Sequence, residues 1–197
     1  MKNPPMATRE DSLLLIIDIQ DRLIPTIFKA DGILLNIETL IKLAEIYQIP
    51  ILVTEQKKLG TTTLKIKEIL MDSNSYNPIR KLDFSCYRNE EFRGVLKETN
   101  VSNILVCGIE THICVSQTAL DLMQNGYIVH IIRDATSSHK KEDYEIAIER
   151  LRDSGAVITT TEALIYELSE RAGTQKFKRI LELVKNRRGR LDRLNQN

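Results

Sequence analysis

Asn103-Ile-Leu-Val-Cys107-Gly108-Ile109-Glu110-Thr111-His112-Ile113-Cys114-Val115 reads as a strand, a glycine turn and the opening of a helix. Residues 103–107 form an apolar run of strand length, and Gly108 permits the turn. Helical spacing then holds from 112 to about Asn125, with Gly126 in the position just past a helix end. A strand feeding a helix in this way is the repeating unit of a parallel sheet. The same stretch sets a thiol, Cys114, at a helix N-terminus. Unpaired N–H groups and the positive end of the helix dipole there favour thiolate over thiol and can receive an oxyanion. The competing reading is a small buried cysteine in the core.

Outward from this unit the alternation repeats. Leu13–Ile17, Pro50–Thr54, Tyr127–Ile132 and Ala156–Thr159 are further short apolar runs, and Ile79–Leu82 reads as a brief third strand. Helical patterns lie between them over 33–47, 62–71, 90–99 and 140–154, with two more opening at Thr161, read as an N-cap, and at Gln175, the last ending near Asn186. Such alternation predicts right-handed crossovers and a parallel sheet between two helical layers.

Length and composition fit one globular domain. The chain has 197 residues, 42% hydrophobic and 28% charged, with a net charge of +1. This balance advertises neither nucleic acid nor a membrane surface. The expected organisation is a tail over 1–10, a domain over 11–186 and a basic tail over 187–197. Residues 173–197 hold eight Lys/Arg against two acids, a net +6, which leaves −5 on the rest; a solvated, frayed tail is the expectation. Three cysteines without framework spacing point to free thiols in a reducing compartment. The N-terminus has no apolar core of signal-peptide length, and no apolar run approaches the ~18 residues of a membrane span. A cytoplasmic location follows.

Ligands of parallel sheets bind beyond the carboxyl ends of the strands. That rule selects Asp18, Thr54-Glu55-Gln56, Lys81, the 108–114 turn and Asp134 as site candidates. Asp18 is either a helix cap or a base facing a polar crevice. Taken with Lys81 and Cys114, it supplies a carboxylate, an ammonium and a thiol from three strand ends. Asp18 can take the thiol proton, and Lys81 can favour the thiolate. A thiolate populated near neutral pH, below the free-thiol value of about 8.5, is expected. Because Asp18 raises the thiol pKa, either Lys81 and the helix end outweigh it or the proton sits on Asp18 with the thiolate opposite, as a coupled pair. Cys107 reads as core and Cys86 as a bystander near Lys81. Glycine-rich dinucleotide and phosphate-loop motifs are missing, and His112, His130 and His139 lack metal-ligand spacing. His112 could pair with Cys114 as a dyad, or line the pocket, or cap the helix.

Together Leu15-Ile-Ile-Asp18-Ile-Gln20-Asp-Arg-Leu23, Thr54-Glu-Gln56, Lys81-Leu-Asp-Phe84-Ser, Cys107-Gly-Ile-Glu-Thr-His-Ile-Cys114-Val, Gly126-Tyr127 and Asp134-Ala-Thr-Ser-Ser138 resemble the isochorismatase-like hydrolase superfamily. The resemblance covers about residues 10–185. It implies an α/β fold, a three-layer α-β-α sandwich with a six-stranded, Rossmann-like parallel sheet in the order 3-2-1-4-5-6. It also implies an Asp18–Lys81–Cys114 triad, a cis peptide at Ile109–Glu110, and an oxyanion hole from the backbone amides of Glu110 and Cys114. Pocket contacts are expected from Gln20, Leu23, Gln56, Phe84, Thr111 and His112. No histidine lies between Thr54 and Asn77, unlike the metal-binding nicotinamidases of the superfamily, so no metal or cofactor is expected. True isochorismatases lack the cysteine, so Cys114 points to carbonyl chemistry on a small amide or related compound through a thioester. The superfamily forms dimers and larger assemblies, which implies a homo-oligomer. The alternative is a non-catalytic binding or scaffold protein on the same fold.

Overall fold

The computed structural model describes residues 6–196, so residues 1–5 of the expected tail lie outside the described residues. Six strands, β1 (Ser12–Ile17), β2 (Ile51–Gln56), β3 (Ile79–Lys81), β4 (Asn103–Ile109), β5 (Ile128–Ser137) and β6 (Val157–Thr159), form one sheet in the order β3-β2-β1-β4-β5-β6. Every pairing is parallel, with Ile16 beside Val53 on one side and Cys107 on the other. The alternation read from the sequence is thus realised.

Seven α-helices cover the sheet: α1 (Ala30–Tyr47), α2 (Leu64–Asp72), α3 (Glu90–Thr99), α4 (Ser116–Gln124), α5 (Lys141–Asp153), α6 (Thr161–Ser169) and α7 (Gln175–Asn195). Leu14 and Ile16 of β1 face a core built with α1, α2, α6 and α7. Leu13, Leu15 and Ile17 face a second core built with α3, α4 and α5. β1 is a continuous apolar run because both of its faces are covered, each buried Leu or Ile contributing roughly 1.5–3 kcal/mol. The chain leaves β1 toward β3 under one helical layer and returns from β4 to β6 under the other. That reversal places a crevice at the carboxyl ends of β1 and β4.

Four elements differ from the sequence reading. β5 runs on to Ser137, so Asp134 lies inside a strand, beyond an irregular register between Val106 and Gly108. The segment expected as one helix from 112 opens with a π-helical turn, Thr111–Val115, before α4. α7 continues through the expected basic tail to Asn195 and is held down by ion pairs. The cap of α6 is Thr160, whose side chain accepts from Ala163 N; Thr161 is the first helical residue. Residues 6–10 are also partly anchored, with Ala7 buried and its N–H donating to Glu167.

Candidate active site at the carboxyl edge of the sheet

Three strand ends bring the charged candidates together. Asp18 leaves β1 in the left-handed region, with φ 52°, a conformation that costs a non-glycine residue roughly 1 kcal/mol and that Asp tolerates better than most. Gly108, at the matching point of β4, has φ 122°, and a Cβ there would sit 2.1 Å from the Ile17 carbonyl oxygen. Only glycine lets β4 pass β1 this closely where the two strands open into the crevice.

Lys81, at the end of β3, reaches across β2. Its Nζ donates to Asp18 Oδ2 at 2.6 Å, Gln56 Oε1 at 2.8 Å, the Phe84 carbonyl at 3.3 Å and Cys114 Sγ at 3.6 Å. Thr54 Oγ1 donates to the other oxygen, Asp18 Oδ1, at 2.8 Å. Asp18 and Lys81 are fully buried and Cys114 is 7% exposed. A buried ammonium is tolerable only with such acceptors around it, because an unpaired one costs several kcal/mol.

The electrostatics correct one expectation. Burial, followed by the charge of Asp18, raises the Cys114 pKa, and a hydrogen bond to Asp18 adds to the rise; Lys81 lowers it but does not offset them. The direction is opposite to the lowering that the helix end alone would give. For Lys81, burial acts downward, but Asp18 and the two nearby thiols raise its pKa overall, so it keeps its proton. Cys86 is pushed up to about 11 by burial and by Asp18, and burial alone raises Cys107. Cys107 lies in the core as expected. Cys86 is nearer the chemistry than a bystander, its Sγ 3.7 Å from Thr54 Oγ1.

The six expected pocket residues divide. Gln20 and Gln56 are committed to the protein. Gln20 Nε2 donates to the carbonyls of Gln56 and Gly60, and its Oε1 accepts from Gln56 N. Gln56 Nε2 donates to the Leu82 carbonyl while its Oε1 holds Lys81. Leu23 packs against the α1-side core. Phe84 is 54% exposed rather than walled in. His112 Nδ1 meets Ser138 Oγ at 2.9 Å at the site rim. Thr111 is buried, and among the described residues its hydroxyl has no hydrogen-bond partner. The Ile109–Glu110 peptide is cis, and Glu110 leads directly into the turn that carries Cys114.

Two other candidates serve the scaffold. Glu55 accepts from Thr62 N and Tyr76 Oη, which tie down the loop after β2. Asp134 Oδ1 accepts from Thr161 N, and its Oδ2 pairs with Arg187 at 2.8 Å. The histidines stay apart: His130 is held near pKa 4 by burial against Asn103, and His139 Nδ1 meets the Thr26 carbonyl. Among the described residues, no group of three His, Cys, Asp or Glu could hold a metal ion. Sequence reasoning missed Ser138 as the partner of His112, because only the extension of β5 brings the two together.

The chain is thus a doubly wound, three-layer α/β protein with a buried carboxylate, ammonium and thiol at the switch point of its sheet. The family follows: residues 12–163 match the isochorismatase domain, and the chain belongs to the isochorismatase family. It is 39% identical over 185 residues to isochorismatase family protein 1B of Dictyostelium discoideum, covering 91% of this chain and 88% of that protein. It is 36% identical over 179 residues to the secreted isochorismatase effector Isc1 of Phytophthora sojae, covering 88% and 84%. The structure of MAR1 ribonuclease from Caenorhabditis elegans superposes with a TM-score of 0.83 at 35% identity, covering 91% of this chain and 92% of that one. Among the described residues no helix is long and apolar enough to cross a membrane.

Proposed function

We propose that the protein is a metal-independent cysteine hydrolase that cleaves a small amide or related carbonyl compound through a thioester on Cys114. The observation that carries this reading is the position of Lys81 Nζ, 2.6 Å from Asp18 and 3.6 Å from the Cys114 sulfur. In this reading Cys114 is a thiol at rest, so deprotonation and attack are coupled. Asp18 takes the Sγ proton as sulfur bonds to the carbonyl carbon. The carbonyl electron pair moves onto oxygen, and the amides of Glu110 and Cys114 receive that oxyanion. Protonated Asp18 then passes its proton to the leaving nitrogen as the C–N bond breaks. In the second half Asp18 deprotonates a water that attacks the thioester, and the carboxylic product leaves as sulfur regains its proton. Lys81 is saturated by protein acceptors, so its part is to hold Asp18 in position, through their 2.6 Å ion pair, facing the Cys114 sulfur. Gln56 and Thr54 are positioning residues for that pair.

The same reading includes a small-molecule substrate, a homo-oligomer, a cytoplasmic location and no cofactor, membrane or nucleic-acid partner. Leu82 and Phe84, 64% and 54% exposed beside Lys81, are apolar surface that a second copy would cover. A ribonuclease reading is raised by the name of the nematode structure. One panel separates the possibilities: small amides, carbamates, nitriles and a single-stranded RNA, each with wild type and Cys114→Ala. Turnover of a carbonyl compound that Cys114→Ala abolishes is the expected result. RNA cleavage alone would replace the reading with the second one, and no turnover in any arm would favour a scaffold protein.

A further inference from the structure

We propose a second ligand site: a cleft of about 470 Å³ between α1, β5, α5 and α7 that binds a small organic anion, a phosphate or carboxylate on an apolar body. Its lining does not include Asp18, Lys81 or Cys114, and it stands independently of the hydrolase reading. Phe28, Ile33, Tyr144 and Leu191 supply apolar wall. Such a volume, in which these four side chains stand among charged and polar groups, suits a small amphipathic molecule.

The charges in the cleft do not cancel. Arg187 is matched by Asp134 at 2.8 Å and Lys141 by Glu145 at 3.5 Å. Lys29 and Arg133 remain, and among the described residues neither has a carboxylate within ion-pair distance. Arg133 Nε donates only to the neutral phenol oxygen of Tyr144, at 3.3 Å, while that hydroxyl donates back to the Arg133 carbonyl at 2.9 Å. The Lys29 ammonium stands 5.4 Å from the ring of its neighbour Phe28. Two cations over an apolar hollow attract an anion more strongly than two cations on an open surface, because the low-dielectric walls focus their field. The hollow also has room beside α1. A Cβ added to Gly32 of α1 would meet no atom within 4 Å.

The test is calorimetric titration of the Cys114→Ala protein at low ionic strength with phenyl phosphate, benzoate, inorganic phosphate and benzyl alcohol. Saturable binding of one phenyl phosphate or one benzoate per chain is expected, and comparing the two identifies the preferred head group. Inorganic phosphate and benzyl alcohol should each bind at least about tenfold more weakly, since each lacks half of the recognition. Arg133→Gln and Lys29→Gln should each weaken binding about fivefold or more, by loss of a charge-assisted contact. Gly32→Phe should remove binding by filling the hollow, while circular dichroism shows the fold intact. Absence of saturable heat with both aromatic anions, or binding that survives all three substitutions, would overturn the proposal. If Gly32→Phe does not fold, the Arg133→Gln result decides.

Discussion

Two ionic networks can be compared, one fully buried at the carboxyl edge of the sheet and one half-buried under α7. In the first, a lysine and an aspartate, 0% and 1% exposed, meet at 2.6 Å with a thiol as neighbour. In the second, arginines do the pairing. Arg187 reaches Asn36, Asp134 and Glu162, and Arg190 grips both oxygens of Glu38. A guanidinium fork fits planar carboxylates and cannot lose its proton, which suits a permanent clasp. An ammonium is a point charge that can sit between a carboxylate and a sulfur. The difference teaches that burial and charge do not by themselves mark a reaction site. The type of cation and the presence of a group able to form a covalent bond distinguish the two.

The widest separation between the networks is expected in turnover. Asp18→Asn removes the proposed base and should lower kcat by about 10²–10⁴-fold. Arg187→Met should leave the kcat of the folded protein within about threefold, because no clasp atom touches the reacting groups. A clasp variant as inactive as Asp18→Asn, in steady-state assays of folded protein, would erase the distinction.

Stability sharpens it next. Lys81→Met leaves Asp18 buried without its cation and should cost about 3–5 kcal/mol in urea unfolding. Arg187→Met should cost less, roughly 1–3 kcal/mol, because Asp134 and Glu162 are 29% and 30% exposed and can recruit water. Equal losses would show that the clasp is as dry as the site.

The smallest effect is a pH dependence confined to the clasp. Burial acts upward on Glu38, but Arg190, Lys42 and Lys65 bring its pKa from 4.5 to about 2. A carboxylate depressed by folding contributes stability above its unfolded pKa and loses it as pH falls through the folded one. Wild type should therefore exceed Glu38→Gln by on the order of 1–2 kcal/mol at pH 7, after discounting for its exposed partners. That advantage should shrink from pH 4.5 toward pH 2 in unfolding curves. A constant difference across that range would mean that the pairs do not hold Glu38 ionised.

The central strands were legible because β1 and β4 are buried on both faces and therefore apolar throughout. The second half of β5 was not, since Arg133-Asp134 breaks the apolar run while the backbone continues as strand. The last two turns of α7 read as a solvated tail because their arginines find Glu38, Asp134 and Glu162 only through the fold. At the site, Asp18 stood out as a charge closing an apolar strand and Cys114 as a thiol at the opening of a helix, while Lys81 was legible only as the third member of that set. The duties of Gln20 and Gln56 were not legible, for they depend on how the 56–62 loop closes over β1. A helix end and a neighbouring carboxylate are visible in sequence, but the depth of burial that most raises the Cys114 pKa is not.

The central claim is that Cys114 is the nucleophile, and acyl trapping tests it most directly. Wild-type protein would be mixed with p-nitrophenyl acetate, quenched in acid and digested for peptide mass spectrometry. A single hydroxylamine-sensitive acetyl group on the Cys114 peptide is expected, formed more slowly in Asp18→Asn. Cys86 and Cys107, fully buried, should remain free. Acetylation that spares Cys114 while marking Cys86 or surface lysines would contradict the account.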